Sequence, residues 1–338
     1  MDRRIRQAYN DAILAEAMER YGIAKDSIHL LDGFESFMYE YGKDGQDRVL
    51  RVSHSLHRTS NMIQGEIEWV NYLVAGGVPA ARAVPSKRGN LVEPIAVEDG
   101  SHFTAVSFER AKGDHPTKKD WENGLTLQLG QIVGRMHALT KHFAPSNARF
   151  RRHEWYKDYP DGFAEQYLPP SETKVITKLN DLLAYLYTLP KDRDSYGLIH
   201  VDVHGGNFFV DNGQVTLFDF DDCQYAWFVY DIAMALFYAI PHNCVGEENM
   251  NWAKSFLTQF MEGYRRENTL DSNWLRQIPY FLKLREVDLY VIIHRSLDPD
   301  NLDPWDASFM DNRKYKIEHN VPYVELAWDE YVESQGDY

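Results

Sequence analysis

Residues 198–222 constrain the fold of this chain more than any other stretch. The run gathers His200, Asp202, His204, Asn207, Asp219, Asp221 and Asp222 around two apolar pieces, residues 207–210 and 214–218. Between the pieces lies Asp211-Asn212-Gly213, and Asn-Gly takes the positive φ of a tight hairpin turn at low cost. The run is expected to fold as loop, strand, turn, strand. Asn207 opens that hairpin and Asp219 closes it, so the two come out side by side, with Asp202 upstream in the entering loop. Three convergent oxygen-bearing side chains suit a hard divalent cation and a phosphoryl acceptor.

Elsewhere the hydrophobic period divides the chain. Residues 4–20 set Ile5, Ala8, Ile13, Leu14, Ala17 and Met18 at near-helical spacing, which predicts one amphipathic helix ending at Tyr21-Gly22. Residues 27–31, 37–41 and 48–52 read as short strands, with turns at Asp32-Gly33 and Lys43-Asp44-Gly45. Residues 62–75 return to the helical period, and residues 90–97 and 102–108 read as an antiparallel pair. Beyond residue 110, helices are expected at 125–140, 172–188, 230–240, 251–267 and 274–295, near Trp155-Tyr156, and at the end of 314–331. A strand-rich first third and a helix-rich remainder predict an α+β chain of two lobes, residues 1–110 and 111–338.

Composition excludes some partners. The formal net charge is −15, the wrong sign for a surface that tracks nucleic-acid phosphates. Solubility explains the acidity, and a cationic substrate is the sharper reading of it. The two cysteines, Cys223 and Cys244, are too few for a disulfide scaffold and suit a reducing, cytoplasmic setting. No window approaches the ~18–20 apolar residues of a membrane span. The start, Met-Asp-Arg-Arg-Ile-Arg, has no apolar run behind it, so no signal peptide is expected. Oligomeric state leaves no trace in the sequence.

The motifs resemble one family. His200-Val201-Asp202-Val203-His204-Gly205-Gly206-Asn207 resembles the His-Gly-Asp-Leu-His-x-x-Asn motif of aminoglycoside phosphotransferases, choline kinases and homoserine-kinase-type enzymes. Leu217-Phe218-Asp219-Phe220-Asp221 resembles their Ile-Asp-Phe-Asp metal motif, and Asp231-Ile232-Ala233 the Asp-Ile-Ala that follows it. Residues 30–41 look like the nucleotide-loop hairpin, 49–52 like the third strand, and 66–73 with Gly77-Val78-Pro79 like helix C and its exit. Residues 106–113 look like the hinge and 129–137 like the helix after it.

The resemblance implies a protein-kinase-like bilobal fold, with a small N-terminal nucleotide lobe and a larger helical lobe carrying the catalytic loop. It implies an enzyme that uses ATP and Mg²⁺ to phosphorylate a hydroxyl of a small molecule. An aminoglycoside, choline or ethanolamine, homoserine and a sugar all remain open. Such transfer needs positioning and charge stabilisation more than covalent chemistry. The resemblance assigns the base to Asp202 and the Mg²⁺ ligands to Asn207 and Asp219. Asp221 has two readings, a contact to a second metal or a solvated acid beside the metal loop. Nucleotide contacts fall to Gly33 and Ser36, to Arg51 with Glu66 (Glu68 being the alternative partner), and to backbone groups of Glu109 and Ala111. Asp231 and His200 are expected to brace the catalytic loop.

This chain departs from the family pattern in three places. Arg51 stands where Lys is usual, and its guanidinium can also fork onto phosphate oxygens. The nucleotide loop has one glycine, Gly33. Val201 replaces the Gly of His-Gly-Asp and is expected to pack inward. Asp222, Tyr225 and Trp155 are the substrate-side candidates, because aromatic rings with acids suit a cationic amine, although aromatics serve equally as core. Two alternatives stay open: an atypical Ser/Thr protein kinase, and a nucleotide-binding pseudokinase without transfer activity.

Overall fold

The computed structural model describes all residues except Asp32, Phe34, 241–245, 299–300 and 336–338. Asp32, half of an expected turn, and Cys244 therefore lie outside the described residues. By internal contacts the chain forms two compact units. The first takes Met1–Pro116, His142–His153 and Asn207–Cys223; the second takes Thr117–Lys141, Glu154–Gly206 and Gln224–Tyr338. Both are discontinuous in sequence, so the single boundary expected near residue 110 does not describe how contacts group the residues. The hairpin that follows Asp202 joins the strand-rich unit.

The first unit is built on an antiparallel sheet. Its strands lie in the order Ile28–Leu31, Phe37–Lys43, Gln46–His54, His102–Glu109 and Ala83–Val84, and Glu93–Ala96 also pairs with His102–Glu109. Alternation buries Tyr39, Tyr41, Leu50, Val52, Phe103 and Ala105 against Ile13, Ala17, Met18 and Tyr21 of the N-terminal helices. Larger side chains such as Leu50, Val52 and Phe103 each contribute roughly 1.5–3 kcal/mol by leaving water. The expected single helix over 4–20 is two, Arg3–Ala8 and Asp11–Tyr21. Asn10 breaks it: its side chain accepts the N–H groups of Ala12 and Ile13, so it caps a new helix instead of continuing the old one. Helix Ser60–Ala75 begins at the Thr59 cap, and Ile63 and Ile67 pack with Ala83 and Val106.

The second unit is helical. Leu125–Thr140 packs on Gly246–Arg265 through glycines on both sides. A Cβ at Gly130 would sit 2.0 Å from the Phe260 carbonyl oxygen, and one at Gly263 would sit 2.0 Å from that of Leu127. The apolar helix Phe228–Ala239 is buried along nearly its whole length, and Ile278–Ser296 follows a 3₁₀ turn at Ser272–Gln277. A two-stranded ladder that the period does not reveal, Tyr196–Ile199 with Gln224–Trp227, delivers the chain to His200. Short helices at Lys118–Glu122 and Pro304–Met310 were likewise not expected. No helix among the described residues is long and apolar enough to cross a membrane.

Candidate active site

The run of residues 198–222 changes unit between Gly206 and Asn207. In the first unit it forms the expected hairpin, Phe208–Asp211 with Gln214–Leu217, turning through Asn212 and Gly213, both at positive φ. The Phe218 N–H donates to the Asn207 carbonyl at 2.9 Å, which extends the ladder by one residue. Asn207 thus lies opposite Phe218, with Asp219 next in the chain. Asp219 takes φ +59°, a left-handed conformation that Asp tolerates better than most residues, and stays exposed. The hairpin is fixed on both sides. Leu217 exchanges backbone hydrogen bonds of 2.8 Å with Pro79 and Ala81, and Gly113 comes so near that a Cβ there would meet the Val210 carbonyl oxygen at 2.1 Å.

Strand Gln46–His54 turns Arg51 inward, where its Nη2 donates to Glu66 Oε2 at 2.7 Å. Both residues are buried. Burial disfavours the charge of Arg51, and Glu66 and Asp221 more than offset this, holding its pKa above the ordinary value. Glu68, the other acid of that helix, is instead spent on the Ser146 N–H and hydroxyl.

Asp221 is not a solvated acid. Its carboxylate is buried, 2.5 Å from His57 Nε2 and 3.6 Å from Arg51 Nη1. Burial would raise its pKa, but His57, Arg51 and Arg58 hold it well below the carboxylate range. Arg152, also buried, ties the same turn by donating to the carbonyls of Asp221 (2.6 Å) and Cys223 (2.7 Å). Asp222 is exposed and paired with Arg58 at 2.8 Å.

At the nucleotide-loop positions, a Cβ on Gly33 would meet the Ser36 carbonyl oxygen at 2.3 Å, and the Ser36 hydroxyl shares a 2.8 Å hydrogen bond with Ser53. Glu109 gives its N–H to the Arg82 carbonyl and the Ala111 carbonyl accepts from Arg110 Nη1 at 3.4 Å, so the Glu109 carbonyl and the Ala111 N–H are the groups an adenine edge could use. As donors, the Asn207 amide oxygen and the Asp219 carboxylate are hard oxygens. They fit Mg²⁺, which keeps phosphate oxygens and waters in its shell. Among the described residues no cluster of three or more His, Cys, Asp or Glu forms a metal cage.

In the second unit Asp202 lies between two donors. Arg285 Nη2 is 3.2 Å from its Oδ1, and His204 Nε2 is 3.1 Å from its Oδ2. The Gly206 N–H donates to His204 Nδ1 at 3.0 Å, so in the neutral ring the proton sits on Nε2 and points at the carboxylate. Burial would raise the Asp202 pKa; the His204 hydrogen bond, with His204, Arg285 and His200 electrostatics, reverses this and holds the carboxyl well below its ordinary range.

Asp231 lies beneath the loop, fully buried. It accepts the N–H groups of His200 (3.1 Å) and Val201 (2.6 Å) and faces His137 Nε2 at 3.0 Å. Tyr264 and Asn268 continue this chain of hydrogen bonds beyond His137.

Val201 is buried as expected, but at φ +76°, where a β-branched residue is strained. Relieving such strain is worth about 1–3 kcal/mol. Glycine would lose roughly 1.5–3 kcal/mol of burial and about 0.5–1 kcal/mol of backbone entropy. Val201→Gly is therefore expected to leave stability unchanged or to lower it by about 1 kcal/mol, read by thermal unfolding.

The other substrate-side candidates lie in different settings. Trp155 is buried among Tyr156, Tyr159, Tyr187 and Trp227, an aromatic core. Tyr225 is half-buried in its strand, its carbonyl accepting from the Tyr196 hydroxyl. Beyond its own loop, Asp202 is met by Arg285 and by the nearby Tyr238, both far from it in sequence. The available signal was a polar Arg285-Glu286-x-Asp288 group inside an otherwise apolar helix.

Three comparisons bear on this arrangement. Residues 28–274 match the family described as the phosphotransferase enzyme family. The chain is 36% identical over 315 residues to amicoumacin kinase of Bacillus subtilis (strain 168), covering 93% of this chain and 94% of that protein. It is similar to the solved structure of amicoumacin kinase hAmiN in complex with AMP-PNP, Ca²⁺ and Ami, with a TM-score of 0.91 and 32% identity over 98% of this chain and 99% of that one. A microcompartment-associated aminopropanol kinase shares the fold, with a TM-score of 0.72 and 23% identity over 97% of this chain and 99% of that one. Small-molecule kinase activity, ATP-dependent transfer to a hydroxyl, is the activity of this group, and the α+β protein-kinase-like fold implied by the motifs is the one the chain adopts. The chain belongs to the phosphotransferase enzyme family.

Proposed function

We propose that this protein transfers the terminal phosphoryl group of ATP to a hydroxyl of amicoumacin or a close analogue, with Asp202 receiving the hydroxyl proton. The observation that carries the role of Asp202 is its carboxylate, ionised and oriented by His204 and Arg285. The similarity to amicoumacin kinase over nearly the whole chain supports the acceptor. The net charge of −15 favours a cationic acceptor by long-range attraction.

Asn207 and Asp219 would hold Mg²⁺ by their oxygens, and the bound ion would neutralise phosphate charge. Arg51, kept charged by Glu66, supplies a permanent cation for phosphate oxygens in place of the usual Lys. Asp221, engaged by His57 and Arg51, fixes that cation and is not needed for a second metal. The Glu109 carbonyl and the Ala111 backbone offer an adenine edge its partners. Cys223, a buried free thiol pushed up to about 12 by its burial, takes no part and suits a reducing cytoplasm.

Incubation with Mg-ATP and a panel of amicoumacin, aminopropanol, choline, homoserine and aminoglycosides tests this, with mass spectrometry detecting a phosphorylated product. Amicoumacin is expected to be the preferred acceptor. Turnover of another member alone would overturn the acceptor, and Mg-ATP binding without any product would favour the pseudokinase. Asp219→Ala is expected to weaken Mg-ATP binding at least about tenfold by calorimetry while the fold persists, since an exposed side chain contributes little to packing.

A further inference from the structure

The two donors on the Asp202 carboxylate are held by one side chain. Tyr238, on helix Phe228–Ala239, stacks on the His204 ring with centroids 4.4 Å apart. Its hydroxyl accepts from Arg285 Nε at 3.0 Å and from Arg285 Nη2, and the guanidinium also lies over its ring, 5.3 Å from the centroid. Asp288, one turn on along helix Ile278–Ser296, takes Arg285 Nη1 at 3.0 Å. Arg285 therefore has its planar fork fixed at three points: Tyr238, Asp288 and Asp202. A flexible ammonium could not hold all three at once. No motif of the catalytic loop contains Tyr238, Arg285 or Asp288.

We propose that Tyr238 and Arg285 are positioning residues for the base: Tyr238 is the support from which His204 and Arg285 fix the orientation of the Asp202 carboxylate. This rests on Asp202 being the base. Two donors fix the plane of the carboxylate and leave lone pairs on both oxygens for a substrate hydroxyl, since a carboxylate offers about four acceptor sites. The same frame keeps the group ionised. The groups facing it are His200 and His204 on its own loop, Tyr238 on one helix and Arg285 on another. Burial raises the Tyr238 hydroxyl well above its ordinary value, so it remains a neutral hydrogen-bonding group throughout the working pH range.

The test uses the full chain with Mg-ATP and amicoumacin, and variants Arg285→Met, Arg285→Lys and Tyr238→Phe. Arg285→Met is expected to lower kcat about 100-fold with KM for ATP unchanged, the scale of a misplaced catalytic group. Its acid limb should move upward from that of the wild type, because one opposing cation is gone while the burial and the His204 hydrogen bond remain. Arg285→Lys keeps the charge and loses the fork, so its kcat should fall while its acid limb stays low. Tyr238→Phe keeps the His204 stack and removes only the oxygen, guarding against a variant that fails to fold. A loss of about tenfold in kcat is expected from a hydrogen bond to a charged group.

A carboxyl-carbon NMR titration, assigned with Asp202→Asn, reads the same change without any acceptor. If amicoumacin is not turned over, the acceptor reading fails and the titration still decides the positioning. If Asp202→Asn leaves turnover intact, the base assignment fails. Should Asp202→Asn abolish turnover while Arg285→Met or a folded Tyr238→Phe keeps wild-type kcat, or Arg285→Met leave the Asp202 titration unmoved, the positioning proposal is overturned.

Discussion

Replacing Asp202 by Asn is expected to lower kcat by about 10²–10⁴-fold, the usual contribution of a positioned general base. The carboxamide has nearly the same shape, so Mg-ATP affinity should change little. The loss should therefore appear in kcat with the nucleotide dissociation constant preserved, a split that steady-state kinetics and calorimetry together resolve. The pH dependence follows from the same contacts. A base works only when deprotonated. Burial opposes ionisation of Asp202, yet His204 and Arg285 hold its carboxyl well below the ordinary range. The active form thus survives to lower pH than a free carboxylate would allow, and activity should not fall through Asp202 protonation near pH 4, the ordinary carboxylate value of about 4 being the reference. A wild-type acid limb tracing to Asp202 above that value would contradict the geometry.

Asp231→Ala is the second large effect, and it acts mostly on stability. The buried carboxylate accepts two backbone N–H groups and faces His137. Hydrogen bonds to a charged group are worth about 1.5–3 kcal/mol each, so their loss should cost about 3 kcal/mol or more. The N–H of Val201 would lose its partner at a residue already held at positive φ, so the loop is expected to relax and kcat to fall about 100-fold. Thermal unfolding and kcat should drop together; a variant that melts with the wild type and turns over normally would show that Asp231 does not brace the loop.

His137 adds an acid-side signature. Burial lowers its pKa, with Asp231 partly opposing. The unfolded chain then binds the proton more readily than the folded one. The contribution is present above the unfolded value of about 6.5 and is lost as pH falls below it. Wild-type stability should decline with falling pH in that window, and His137→Gln should flatten the slope.

Some of this was written in local sequence. The hairpin from Phe208 to Leu217 follows from alternation and an Asn-Gly turn, which depend only on neighbouring residues. The Arg51–Glu66 pair could be anticipated only from the family resemblance of residues 49–52 and 66–73, because composition alone would have made Glu66 a surface acid. The break at Asn10 was legible too, since an Asn before an apolar-periodic stretch is a cap signal that the continuing period concealed.

The partners of the acids were not legible. His57 reaches Asp221 across 164 positions, His137 reaches Asp231 across 94, and Arg285 reaches Asp202 across 83. A hydrophobic period records which face of an element is buried, not which buried polar group it will meet. That meeting is set by how helices pack, down to the glycines that let Leu125–Thr140 and Gly246–Arg265 approach. The sequence by itself determined the reaction class, through local motifs that resemble those of a known family. Only the tertiary structure decided how the Asp202 carboxylate is held, because its orientation and charge depend also on a donor, Arg285, brought to it from a distant part of the chain.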